Sequence, residues 1–183
     1  MLTDRFSHIG REEEDEDICV RNVTVEKHTK EWVYMLNDFR KGYLAGIIDG
    51  EGTLMIRRHR ALGSSTGYTY SAFLTIANTE LSIIEAVKDM IEAGYICTHK
   101  RKNVVQKDCY LFHVTRMKDV YRVLTELQDY FMSKRKQLIC KLILEFCESR
   151  MSYTNTWKGG RSVYTMREIE IFEEVKKLNK RGV

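Results

Sequence analysis

Glycine recurs every fourth residue at Gly42, Gly46 and Gly50, inside a segment whose apolar residues repeat with a helical period, and two carboxylates, Asp49 and Glu51, close it. Spacing of four puts the three glycines on one stripe of a helix. Each interior glycine costs about 1 kcal/mol relative to alanine. A helix that carries this cost repeatedly gains close approach of another backbone, either a neighbour in its own core or a second helix. Asp49 and Glu51 stand at the helix end, where unsatisfied carbonyls already present partial negative charge. Two such ends packed side by side through their glycines would make a strongly negative pocket, suited to hard divalent cations with oxygen ligands. A pair of such ions beside a phosphodiester activates water and stabilises the leaving oxygen.

Around this segment, helical periodicity begins near Lys30 and takes in Trp32, Met35, Leu36, Phe39, Tyr43, Leu44 and Ile47 at three- and four-residue steps. It should stop near Gly50, with Gly50 and Gly52 free to take positive φ. Strands are expected over 53–60 and 68–77, joined by a turn-rich connection, then a helix over 79–93 closed by Gly94. A second strand pair, 95–100 and 109–115, is followed by helices over 117–131 and 134–150. A last helix opens with a capping box, Thr165 and Glu168, and ends near Asn179. The order α-β-β-α-β-β-α, with extra C-terminal helices, is an α+β fold occupying residues 31–183. Residues 1–30 read as an acidic N-terminal extension, whose like-charge block over 11–17 is expected to be solvated and disordered. No segment repeats, so internal duplication is excluded.

The net charge of +4 conceals an asymmetry: residues 1–40 hold ten acidic and six basic side chains, leaving twenty-four basic against sixteen acidic in the remainder. A basic body with an acidic arm fits a polyanion-binding protein. No apolar run approaches the roughly 20 residues that span a bilayer, and the N-terminus lacks the basic flank and apolar core of a secretory signal. No membrane partner is expected. Five cysteines without a C-x-x-C pair, and histidines never spaced H-x-x-x-H, argue against a disulfide framework and a zinc finger. The expected compartment is reducing and intracellular, cytoplasm or organelle matrix.

Residues 44–52, LAGIIDGEG, resemble the nine-residue motif of the LAGLIDADG homing endonucleases, matching at Leu44, Ala45, Gly46, Ile48, Asp49 and Gly52. Glycine stands at the seventh position and glutamate at the eighth. The family's fold is the α-β-β-α-β-β-α order, which extends the resemblance over about residues 35–150. What the resemblance implies is a single-motif DNA endonuclease that works as a homodimer. It would make a double-strand break in a long, pseudo-palindromic site with Mg2+ or Mn2+. Gly42, Ala45, Gly46, Asp49 and Gly50 would then form the seam between two copies. Glu51 matches the metal-binding acid, and Asp49 is the lesser candidate because that position more often supports the helix end. Asn78 matches a polar side chain near the scissile phosphate, or alternatively caps the following helix. Lys134 matches the family's active-centre lysine, where it would stabilise phosphate charge; its alternative is a solvated helix start, although cations are disfavoured there. The family also contains RNA-binding maturases, which take intron RNA as partner, and DNA binders that do not cut. Glu51, Asn78 and Lys134 together weigh against the second. The chain lacks an intein's terminal residues, which suits a free-standing or intron-encoded product.

If the sheet lies on double-stranded DNA, as the resemblance implies, strand parity selects the contacts. Met55, Arg57 and His59 share a face, as do Thr69, Ser71, Phe73 and Thr75; Cys97, His99 and Arg101 join His113 and Thr115. These would read base edges in the major groove. Arg58, Arg60, Lys100, Lys102 and Lys107 are assigned to phosphates. Each taken alone is equally well read as a solvated surface charge.

Overall fold

A computed structural model describes residues 37–61, 67–100, 107–154 and 163–180. The expected extension over 1–30 lies outside these residues, as do Trp32, Met35, Leu36, Arg101 and Lys102. In chain order the elements are α1 (Asp38–Glu51), β1 (Gly52–Arg60), β2 (Tyr68–Asn78), α2 (Leu81–Ile91), β3 (Tyr95–His99), β4 (Cys109–Val114), α3 (Met117–Leu127), α4 (Lys134–Thr154) and α5 (Met166–Leu178). The strands form one antiparallel sheet in the order β1-β2-β4-β3.

Helix α1 begins after Asn37, whose side-chain oxygen accepts the Arg40 N–H at 2.9 Å and so satisfies an otherwise unpaired donor. The expected start near Lys30 falls outside the described residues. At the other end no left-handed residue is used: Gly52 has φ −83° and ψ 152°. The expectation of positive φ there is not met. Gly52 is required for space instead, because a Cβ would lie 2.6 Å from the Ile48 Cα. β1 doubles back directly over the last helical turn.

One sheet face is covered by helices. Leu54, Ile56, Tyr70, Ala72, Leu74, Ile76, Phe112 and Val114, all of even parity, are buried against Leu44, Ala45 and Ile48 of α1 and the faces of α2 to α5. Enclosing each large apolar side chain contributes roughly 1.5–3 kcal/mol. α4 is apolar around most of its circumference, with Ile139, Cys140, Leu142, Ile143, Leu144, Phe146 and Cys147 buried, as a central helix requires. Burial pushes the Cys140 and Cys147 thiols up to about 12, so both stay neutral packing groups. Phe39, which the periodicity assigned to the apolar face of α1, is 81% exposed. It lies instead on the outward stripe with Gly42, Tyr43, Gly46 and Gly50.

Candidate active site and nucleic-acid face

The end of α1 is locked to the start of α4 by two contacts. The first is a carboxylate: Asp49 Oδ2 accepts the N–H groups of Met132 at 2.7 Å and Ser133 at 3.2 Å. Ser133 caps α4 in turn, its Oγ accepting the Lys136 N–H at 3.3 Å. A carboxylate disfavoured at one helix C-terminus is thus favoured at the N-terminus of another. Asp49 Oδ1 is buried and has no hydrogen-bond partner among the described residues. The second contact is a cation. Lys136, only 5% exposed, donates from Nζ to the Gly52 carbonyl oxygen, countering the negative end of α1. Burial lowers the Lys136 pKa, Arg135 lowers it further, and Asp49 opposes both.

Glu51 lies between these contacts in the chain and is exposed, as are Lys134 and Arg135 in the first turn of α4. Asn78 belongs to the same corner. Gly52 pairs with Ile76, so Asn78 is two residues further toward the α1 end of the sheet. Its Oδ1 accepts the Glu80 N–H at 2.8 Å, a local turn, while α2 begins only at Leu81. Glu51, Asn78 and the basic first turn of α4 therefore all lie at the α1 end of the sheet.

Ala45 does not share the outward stripe. It is fully buried in the chain's own core because its position faces the sheet with Leu44 and Ile48, and it is removed from the expected seam. A Cβ placed on Gly42, Gly46 or Gly50 meets nothing within 4 Å, so among the described residues the glycine stripe is open surface.

The sheet face that no described helix covers carries the odd-numbered residues. Thr53, Thr75, His113 and Tyr95 form one row across all four strands. His113 Nδ1 lies 3.0 Å from Thr75 Oγ1, and its ring is 5.4 Å from that of Tyr95. Burial, then the charges of Arg57 and His99, hold His113 below its usual pKa, so it is neutral at pH 7. Arg57 stacks over Phe73 at 4.4 Å, with Nε 3.4 Å from Met55 Sδ. His59, Thr69, Ser71, Cys97 and His99 share this face by register, and Lys100 and Lys107 are exposed at the ends of β3 and β4. Arg58 is committed elsewhere: its guanidinium covers Tyr68 at 4.6 Å and Phe172 at 5.6 Å, on the side of α5.

Two residues of this region escaped the sequence reading. Lys136 is in helical phase with buried Ile139, Cys140 and Ile143, a signal that it points inward where Lys134 cannot. Tyr95, 49% exposed, has the parity of Cys97 and His99. Among the described residues no three His, Cys, Asp or Glu side chains gather to hold a metal ion. The donors present at this corner are hard oxygens, so they fit a divalent cation only as part of a larger set completed from outside one chain.

No curated protein matches the chain at a significant level. Solved structures share the fold at low identity. An archaeal intron-encoded homing endonuclease, I-Vdi141I, complexed with DNA, aligns over 80% of this chain and 87% of its own, at 20% identity and a TM-score of 0.62. The homing endonuclease I-TnaI aligns over 75% and 94%, at 18% identity and 0.56. I-SmaMI bound to its uncleaved DNA target with calcium ions aligns over 79% of this chain but 45% of its own, at 18% identity and 0.57. The sequence model of the LAGLIDADG endonuclease matches residues 44–147, more than half of the chain, and the protein belongs to that family.

Proposed function

We propose that the chain is a site-specific DNA endonuclease that cuts both strands of a long, pseudo-palindromic site as a homodimer, with Mg2+ or Mn2+. The observation that carries this reading is that exposed Glu51, Asn78 and the basic first turn of α4 lie at the same end of a polar, aromatic sheet face. One chain has one motif, and it aligns with less than half of I-SmaMI; a double-strand cut then needs a second copy. The open stripe of Gly42, Gly46 and Gly50 is the surface on which two α1 helices approach. That approach would bring two Glu51 carboxylates together, and these are the residues that would hold a divalent cation. A divalent cation bound there supplies Lewis-acid stabilisation of phosphate charge and a more acidic water. Asp49 holds α4 in register. Lys136 neutralises the end of α1, Lys134 faces the scissile phosphate, and Asn78 positions the attacking water. Arg57, stacked on Phe73, and neutral His113, fixed by Thr75, present oriented donors to base edges. Met55, His59, Thr69, Ser71, Cys97 and His99 complete the base-reading face, and Arg60, Lys100 and Lys107 bind phosphates.

The test is incubation with a plasmid carrying the flanks of the gene's own insertion site, with and without magnesium. Linear product appearing only with the metal supports the proposal. An intact plasmid under both conditions, despite tight binding, contradicts it.

A further inference from the structure

The family match ends at Cys147, yet Tyr164, Ile171, Phe172 and Val175 beyond it are buried. Their placement addresses a weakness in the sheet. β4 stops pairing at Val114, opposite Leu74. Toward the hairpin, residues 55–60 and 68–73 therefore continue as a two-stranded ribbon. Such a ribbon is marginal alone and needs a covering helix, and a buried strand N–H without a partner is costly.

Both needs are met at Tyr70. Its N–H donates to the Tyr164 hydroxyl at 2.9 Å in a buried position, and that hydroxyl lies 3.5 Å from the Tyr70 carbonyl oxygen. The rings of Tyr164 and Phe172 meet the Tyr70 ring edge-on, with centroids 4.8 and 5.0 Å away. Tyr164 is itself held, because the Arg150 guanidinium lies 4.3 Å from its ring centroid and donates to the Val163 carbonyl at 2.9 Å. Buried Glu168 accepts from Ser149 Oγ and the Thr165 N–H and pairs with Arg150. On the opposite face, the same ribbon carries Arg57, His59, Thr69, Ser71 and Phe73. β1 runs away from Glu51, so these residues stand farthest from the cutting corner.

We propose that Tyr164 is a positioning residue for sequence discrimination: its hydroxyl replaces the strand that β4 does not provide, and so fixes the ribbon that reads the outer base pairs of each half-site. This rests on the DNA-endonuclease reading above. Without the hydroxyl, the Tyr70 N–H is left buried and unpaired and the ribbon loosens. Thr53, Thr75 and His113, in the four-stranded region, are unaffected.

Tyr164→Phe keeps the ring and removes the hydroxyl. Asn179→Ala is the matched control, because it removes a bond of similar kind from Asn179 Nδ2 to the Leu54 carbonyl at 2.8 Å, near the Glu51 end of β1. The experiment combines amide hydrogen exchange on the free full-length chain with selection of preferred sites from randomised DNA. In Tyr164→Phe the Tyr70 amide should exchange roughly tenfold faster. Discrimination should fall at the outer base pairs and hold at the inner ones, with both unchanged in Asn179→Ala. Phe172→Leu, which removes the second ring edge on Tyr70 together with the ring beneath Arg58 but leaves the Tyr164 hydroxyl in place, reads the same loosening if Tyr164→Phe yields too little folded protein. Unchanged Tyr70 exchange, a loss spread evenly along the site, or the same loss in Asn179→Ala would overturn the proposal. Wild-type protein without any site preference would instead overturn the DNA reading, and this inference with it.

Discussion

Gly46→Leu separates two effects of opposite sign. Within one chain Gly46 is exposed, and a Cβ there meets nothing within 4 Å. Leucine relieves the cost of an interior helical glycine, a gain of roughly 0.8 kcal/mol per chain. For a chain of this size that is about 2–3 °C in melting temperature. Between two touching α1 helices the same side chain is an obstruction. Overpacking costs roughly 1–3 kcal/mol and occurs once per chain. Association should therefore weaken by about 2–6 kcal/mol, roughly 30-fold to 10⁴-fold. Ala45→Leu is the internal comparison: Ala45 is fully buried, so leucine there costs the fold itself about 1–3 kcal/mol. Sedimentation equilibrium over a range of concentrations reads the association, and melts at dilutions where the wild type is monomeric read the chain. An unchanged dimer constant for Gly46→Leu, or a lower melting temperature at dilution, would contradict an α1–α1 seam at Gly46. So would a wild-type monomer that cuts both strands.

Arg57→Ala should lower discrimination at particular base pairs by about 1–3 kcal/mol, whereas Lys100→Ala should weaken all sequences alike and reduce the salt slope of binding by about one. Gel-shift titrations at several salt concentrations measure both, and equal, sequence-independent losses would contradict the base-reading role of Arg57. Lys136 makes stability depend on pH. Its folded pKa lies below the ordinary 10.5, so between the two values the unfolded chain binds more protons and stability rises with pH. Urea melts across the alkaline range should show this rise in the wild type and lose it in Lys136→Met; an equal slope in both would locate the titration elsewhere.

Local periodicity carried most of the fold. The strand parities of Leu54, Ile56, Ala72, Leu74 and Ile76 match the observed burial because a sheet covered on one face forces alternation. The capping box at Thr165 and Glu168 is present as read. What the sequence obscured was pairing at a distance. Nothing in one chain's periodicity states that Asp49 reaches the N–H groups of Met132 and Ser133, or that Tyr164 completes the edge of β2. Phe39 misled because an apolar residue at helical spacing reads as core whether the surface it lines is internal or faces outward. Lys134 and Lys136, two residues apart, differ only in helical phase, which separates exposed from buried once the apolar stripe of α4 is followed back to its start.

On the proposed mechanism Glu51 serves cleavage rather than folding or binding. In the proposed dimer, without metal, two Glu51 carboxylates and two helix C-termini would repel one another, so Glu51→Gln should leave the dimer intact and its metal-free affinity for DNA at least equal to that of the wild type. An amide is a poor magnesium ligand, so the cut should disappear. A gel-shift titration without divalent ions, paired with a cleavage time course in magnesium on the same target, makes the comparison. Intact or tighter binding with no cleavage is the predicted result; cleavage at the wild-type rate would remove Glu51 from the mechanism and leave Asp49 as the next carboxylate to test.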